Sequence, residues 1–336
     1  MTATPPAPGL KLLLIGGTGV ISSAVVPAAL ALGHEVTVLR RGTTSDRSLP
    51  DDVETLVGDI RDPASLRGVL GNRRFDVVVD FVAFTPDHVR TDIDLFAGRT
   101  DQYVFISSAA TYEKPVLRLP IVESMPLRNP FWEYARDKAA AEDVLVQAHR
   151  DGGFPVTIVR PSHTYDRTLV PLTGGWTAID RMRRGEPIVV HGDGTSLWTL
   201  THHTDFAKIF VGLLGNQQAV GDVFHITSDE ALTWDQIAAA LARAAGVEPR
   251  IVHVASDTIA AHAPEWGPGI LGDKAHSLVF DNSKVHALAP RVTADIPFAA
   301  GAREMLAWFD ADESRRVVDA DADRRFDELV AWAARR

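Results

Sequence analysis

The chain of 336 residues contains no cysteine. Disulfides, thiolate nucleophiles, zinc–thiolate sites and iron–sulfur clusters are thereby excluded together. Basic residues are in the minority: 34 Lys and Arg against 44 Asp and Glu give a net charge of −10. Phosphate neutralisation needs clustered Lys and Arg, so nucleic acid is not an expected partner. No apolar run approaches the ~20 residues that cross a bilayer, so no membrane partner is expected either. The stretch Met1–Gly9 is rich in Pro and Ala and has neither the basic nor the apolar region of a signal peptide. It reads as a frayed arm on a cytoplasmic protein. Metal-binding patterns are also missing. There is no HExxH, and His202 and His203, neighbours on an extended segment, are expected to face opposite ways; no metal is assigned. What remains is 46% apolar and 23% charged, which excludes wholesale disorder and coiled coil, at a length suited to about two domains.

Apolar strands alternate with helices over the first half. Lys11–Ile15 ends at Gly16-Gly17-Thr18-Gly19, a helix follows over Val20–Leu32, and Glu35–Leu39 is a second strand: a βαβ unit. Strands at Val53–Val57, Asp76–Asp80, Tyr103–Ser107 and Pro155–Arg160 alternate with helices at Asp62–Leu70, Val89–Phe96 and Trp132–His149. The pattern predicts an α/β fold, a doubly wound parallel sheet of Rossmann type. After about residue 165 Gly and Pro become denser and short strands mix with helices, which predicts a smaller α+β substrate domain on the C-terminal side. Residues 1–165 and 200–230 are assigned to the dinucleotide-binding domain, and 166–199 and 231–336 to the substrate-binding domain. The charge run Asp310–Arg325 reads as a solvated linker and helix face, and Asp205 as a residue ordering its local turn.

Three features carry chemistry. A glycine turn between a strand and a helix lets backbone approach a pyrophosphate, which then sits on the helix N-terminus; Ser22 stands where a third glycine is usual. Tyr134 and Lys138, four apart, share a helix face. An ammonium there stabilises phenolate and lowers the tyrosine pKa from about 10, giving a general acid/base. Ser107-Ser108 ends a strand at the sheet edge where ligands bind, and a serine there can share a substrate hydroxyl's proton with Tyr134.

Together these features resemble the extended short-chain dehydrogenase/reductase family, the NAD-dependent epimerase/dehydratase group. Gly16-Gly17-Thr18-Gly19-Val20-Ile21-Ser22 resembles its glycine fingerprint, and Gly58-Asp59-Ile60-Arg61-Asp62 the segment that meets adenine. Val79-Asp80-Phe81-Val82-Ala83 resembles the strand end bordering the cofactor, and Phe105–Tyr112 the strand bearing the catalytic hydroxyl, aligned with Ser108. The strand end around Pro161 and His163 resembles the one that meets cofactor and substrate. The resemblance implies that Tyr134 exchanges the proton, Ser108 orients the reacting oxygen, and Lys138 binds the nicotinamide ribose and holds the phenolate. It also implies cofactor contacts from Gly16, Thr18, Gly19, Val20, Ile21, Asp59, Ile60, Phe81, Val82, Ala83, Tyr134, Lys138 and Pro161, substrate contacts from Ser108 and His163, and a homodimer using the helix Trp132–His149.

Departures from the family pattern narrow the reaction. Dehydratases carry an acidic pair where Ala109 and Ala110 stand, and the fucose-synthase type uses a Cys at Ala110. Simple redox or epimerisation of a secondary alcohol remains, on a sugar-like or nucleoside-like small molecule. The second strand lacks the terminal carboxylate of NAD-type relatives and runs into Arg40-Arg41, which favours NADP(H), with NAD(H) the alternative. Trp198 occupies the place of the arginine that grips a substrate pyrophosphate, which argues against a nucleoside-diphosphate sugar; its indole is expected to contact the substrate instead, stacking on a sugar face or an aromatic base. Arg181, Arg183, Arg184 and Lys274 are the basic residues available to replace it. The alternatives are a nucleoside-diphosphate-sugar epimerase and a non-catalytic NAD(P)-binding module.

Overall fold

In the computed structural model, which describes residues 9–42, 47–289 and 292–335, Lys11–Ile15 is strand β1 of a seven-stranded sheet. Leu12, Leu13, Leu14 and Ile15 are buried, as required of a strand covered on both faces. β2 (Glu35–Arg40), β3 (Glu54–Val57), β4 (Phe75–Asp80), β5 (Thr100–Ile106) and β6 (Val156–Pro161) join it. Three short pairs follow from β7 (His163–Tyr165), β8 (Ile188–His191), β9 (Leu197–Trp198), β10 (Leu200–His202), β12 (Leu232–Thr233) and β13 (Ile251–Val254), while β11 (Val223–Ile226) returns to the main sheet. The main sheet runs β11-β6-β5-β4-β1-β2-β3 with every pairing parallel, so its winding reverses between β1 and β4. Ligands of doubly wound sheets bind at that reversal, beyond the carboxyl ends of the strands.

Helices α1 (Ser22–Ala31), α2 (Pro63–Leu70), α3 (Pro86–Phe96) and α4 (Glu133–Gly152) lie along the sheet's crossovers. α3 begins three residues before the expected Val89, because the Thr85 hydroxyl accepts from His88 N and Pro86 suits the first turn. α4 extends past His149 until Gly153, at φ 67°, ends it. The short pairs β7/β10, β8/β13 and β9/β12 build the remainder with a core of their own around Trp176, Trp198, Trp234 and Phe298. No helix among the described residues is long and apolar enough to cross a membrane. The arm read at residues 1–9 lies, apart from Gly9, outside the described residues.

Two expectations need correction. The Asp310–Arg325 run is not simply solvated: Asp310 pairs with Arg183 and Asp323 with Arg181 and Arg184, and the run feeds the helix Ala320–Ala333, whose Phe326 is fully buried. His202 and His203 do not diverge, because His202 ends β10 and caps the helix that His203 starts; their rings lie 4.9 Å apart. His202 bonds Thr204 and Glu304, and His203 bonds the Val20 carbonyl. Asp205 is buried, pairing with Lys208 and accepting from Ile296 N, so it ties its helix to a distant loop as well as ordering its turn.

Candidate active site

The glycine turn leaves β1 at Gly16, whose φ of +87° favours glycine; a Cβ there would lie 2.5 Å from Val82 Cγ1. A Cβ on Gly17 would meet Val38 at 2.7 Å. Ser22 does more than tolerate close packing. Its hydroxyl accepts from Gly19 N at 2.8 Å and donates to Gly16 O at 2.6 Å, stapling the turn closed. Ser22→Ala is expected to cost about 1–3 kcal/mol, because the turn loses two hydrogen bonds of about 0.5–1.5 kcal/mol each. Urea denaturation monitored by circular dichroism checks this; an unchanged midpoint contradicts it.

Beyond this turn lies a cleft of ≈420 Å³ bordered by Gly16, Thr18, Gly19, Arg40, Arg41, Asp59, Ile60, Phe81 and Val82. Phe84 and His88, not singled out in the sequence, also border it. Val20 and Ile21 lie at the start of α1, and Ala83 is wholly buried beside the cleft. Asp59 accepts from Arg61 N, and Asp80 shapes the far wall by accepting from Val82 N and Ala83 N. Arg40 Nε is buried without a hydrogen-bond partner. The close-walled glycine turn suits a dinucleotide.

A second cavity of ≈250 Å³ lies at the carboxyl ends of β5 and β6. Ser108, Tyr134, Pro161, His163 and Trp198 line it together, so Pro161 borders the substrate side rather than the cleft. Alternation along the chain separates the two serines. Ser107 donates to Glu142, which is held in a buried pair by Arg160 at 2.6 Å, whereas Ser108 caps the short turn Ala109–Thr111 and lines the cavity. Burial holds the Tyr134 phenol above its ordinary pKa, outweighing the downward pull of Ser108, which lines the same cavity, and nearby Asp273 adds to the rise.

Lys138 departs from its expected placement. Its Nζ donates to Ala83 O and Ile106 O, each at 2.6 Å, and sits 5.9 Å from the Tyr134 ring centre. Burial pushes its pKa down to about 8 against the pull of Asp80 and Glu142. The lowered phenol pKa expected from the Tyr-Lys spacing is therefore not found here. Burial keeps Tyr134 protonated.

Trp198 donates its indole N–H to His163 Nδ1 at 3.3 Å. Burial and Lys274 push the His163 pKa down to about 3, so the ring is neutral, with Nδ1 the acceptor and Nε2 the protonated nitrogen. Three of the basic residues considered for a pyrophosphate are committed elsewhere: Arg181 to Asp323 and Asp327, Arg183 to Asp310, and Arg184 to Asp180 and Asp323. Lys274 alone of the four lines the cavity. Sequence reasoning missed Asp273, which lines it too, and Lys114, whose Nζ lies 3.8 Å from Asp273. No spacing pattern flags either one.

A doubly wound sheet with a glycine turn at its reversal and a Ser–Tyr cavity at its carboxyl edge defines a dinucleotide-dependent class of enzymes. The sequence profile of the NAD dependent epimerase/dehydratase family matches residues 12–97 and 95–227, and the chain belongs to that family. A 2'-dehydrokanamycin reductase of Streptomyces kanamyceticus is 28% identical over 336 residues, covering 98% of this chain and 92% of that one. The chloroplast stem-loop binding protein of 41 kDa b of Arabidopsis thaliana is 29% identical over 72% of this chain, which spans 65% of that protein's length. The UDP-glucose 4-epimerase of Bifidobacterium longum, solved with NAD+ and UDP, superposes with a TM-score of 0.72 at 20% identity, over 90% of this chain and 99% of that one. At that identity the likeness is one of fold.

Proposed function

We propose that this chain is an NADP(H)-dependent oxidoreductase that interconverts a secondary alcohol and a ketone on a sugar-like or nucleoside-like small molecule. The observation that carries the reading is that Ser108 and Tyr134 line one cavity at the sheet's carboxyl edge. A bound nicotinamide supplies or takes the hydride. Ser108 orients the substrate oxygen, and Tyr134 exchanges the proton at that oxygen. A phenol held protonated by burial supports the direction in which a ketone gains the proton. Lys138, with two of its three donors bound to carbonyls, keeps a third for a ribose hydroxyl. Residues 1–165 and 200–230 serve the cofactor and 166–199 and 231–336 the substrate. The homodimer would use α3 and α4, which surround an outward groove at Ile93, Val144 and Ala148.

NADPH consumption with a panel of cyclic ketones, followed at the nicotinamide absorbance, tests the reading. Cofactor retained through purification, with no net consumption, would favour the epimerase alternative. The stem-loop-binding relative raises a non-catalytic reading; the net charge of −10 and the retained Ser108, Tyr134 and Lys138 favour catalysis.

Two further outcomes are expected. Lys138 carries its charge only below about pH 8, so kcat/KM should fall as pH rises through about 8, where the ammonium is lost. A pH–rate profile flat from about 7 to about 10 overturns this role. Calorimetric titration with UDP, dTDP and GDP should give no low-micromolar binding, because Trp198 brings no charge and Arg181, Arg183 and Arg184 are paired elsewhere. Tight binding competitive with turnover would restore the nucleoside-diphosphate-sugar alternative.

A further inference from the structure

The turn Ile270–Lys274 brings Asp273 and Lys274 into the wall of the cavity that Ser108 and Tyr134 line. The turn is a π-helical one, a form enriched at functional sites. It is pinned from several directions. The Lys274 carbonyl accepts from His191 Nε2 at 2.8 Å, Ser196 Oγ at 3.1 Å and Trp234 Nε1 at 3.1 Å. The Gly272 carbonyl accepts from Asn129 Nδ2 at 2.6 Å, and a Cβ on Gly272 would lie 2.8 Å from Trp132 Cβ.

The two side chains so held lack hydrogen-bond partners. No described residue donates to either oxygen of Asp273, whose Oδ1 is buried; the nearest cation, Lys114 Nζ, is 3.8 Å away. No described residue accepts from the Lys274 ammonium, which feels Asp273 only through its charge. A carboxylate oxygen buried without a hydrogen bond is costly, and beside it the Lys274 ammonium lines the cavity with no described acceptor, so the arrangement is matched to a ligand.

The charge pattern restricts that ligand. An anion would face Asp273, and a cation would face Lys274 and Lys114. A hydroxyl group satisfies both side chains, donating to the carboxylate and accepting from the ammonium. The volume of ≈250 Å³ is below that of pockets for drug-sized ligands, and Trp132 and Trp198 supply aromatic walls. Building on the oxidoreductase reading, we propose that Asp273 and Lys274 are the specificity pair of this cavity, recognising adjacent hydroxyls of a neutral pyranose-like ring whose reacting carbon lies at Ser108 and Tyr134.

The test uses the NADP(H)-loaded protein. Methyl α-glucopyranoside, methyl α-galactopyranoside and methyl α-mannopyranoside are titrated beside glucuronate and glucosamine, with calorimetry and tryptophan fluorescence as readouts. At least one neutral pyranoside should bind about tenfold or more tightly than either charged sugar. Asp273→Asn and Lys274→Met should each weaken that pyranoside about tenfold or more, with the affinity for NADP(H) and the melting temperature unchanged. Lys274→Gln, which keeps a donor, should lose less than Lys274→Met. Tighter binding of a charged sugar, no binding of any neutral pyranoside, or variants that bind as the parent does would each overturn the pair's role. Failure of the oxidoreductase reading is distinguishable. NADPH consumption that Tyr134→Phe abolishes would survive a failed sugar titration, whereas full activity of Tyr134→Phe would remove the reading and leave any binding shift intact.

Discussion

Tyr134→Phe is expected to lower kcat by about 10²–10⁴-fold or more, with NADP(H) affinity nearly unchanged. The substitution deletes one oxygen. The ring keeps its packing between Trp132, at 5.0 Å, and Phe84, at 6.3 Å, so the fold has no reason to respond. Only the hydroxyl at the cavity shared with Ser108 is lost, and with it the proton that a ketone oxygen takes up. Single-turnover rates and a separate cofactor titration distinguish this from a binding defect. A rate close to that of the parent would mean that another group carries the proton; Asp273, buried in the same cavity with its pKa raised by burial, would then be the first to examine.

Arg40→Ala is expected to lower kcat/KM for NADPH roughly 10- to 100-fold and to leave that for NADH little changed, because hydrogen bonds between charged partners carry the most free energy. Arg40 closes β2 beside the cleft, its Nε is buried without a partner, and the carboxylate that would hold two ribose hydroxyls is missing from this strand end. Arg41, fully in solvent's reach at the cleft mouth, should contribute less. The unmodified protein should itself prefer NADPH. A higher kcat/KM with NADH would reverse the cofactor assignment.

Much of the site's framework can be read from residues close together in the chain. β1, the glycine turn and α1 are contiguous, so one apolar run and the glycines after it locate the cleft. Tyr134 and Lys138 share a helix face by spacing alone. What Lys138 does there is another matter. Helical spacing brings its stem alongside Tyr134, but the Ala83 and Ile106 carbonyls, delivered by the ends of β4 and β5, claim its ammonium. Likewise Ser22 reads only as a small residue in a glycine's place until the closed turn puts Gly16 O and Gly19 N within reach of its hydroxyl. Arg181, Arg183 and Arg184 look like spare cations in the sequence. The fold commits each to an acid, Asp310 and Asp323 among them from the Asp310–Arg325 run that itself looked solvated.

The sequence by itself determined the α/β alternation, the parallel sheet, the glycine cleft and the shared helix face of Tyr134 and Lys138, because strand burial, helical period and turn chemistry are local properties of the chain. Tertiary structure alone decided which charges meet. It put Asp273 and Lys274 in the cavity that Tyr134 lines, Lys114 near Asp273, and the Trp198 indole on His163. These groups come from segments far apart in the chain, and their protonation depends on how much water is removed around them. Burial is a property of the packed molecule, so it has no signature in spacing; here it keeps Tyr134 protonated, brings the Lys138 pKa down to about 8 and leaves His163 uncharged.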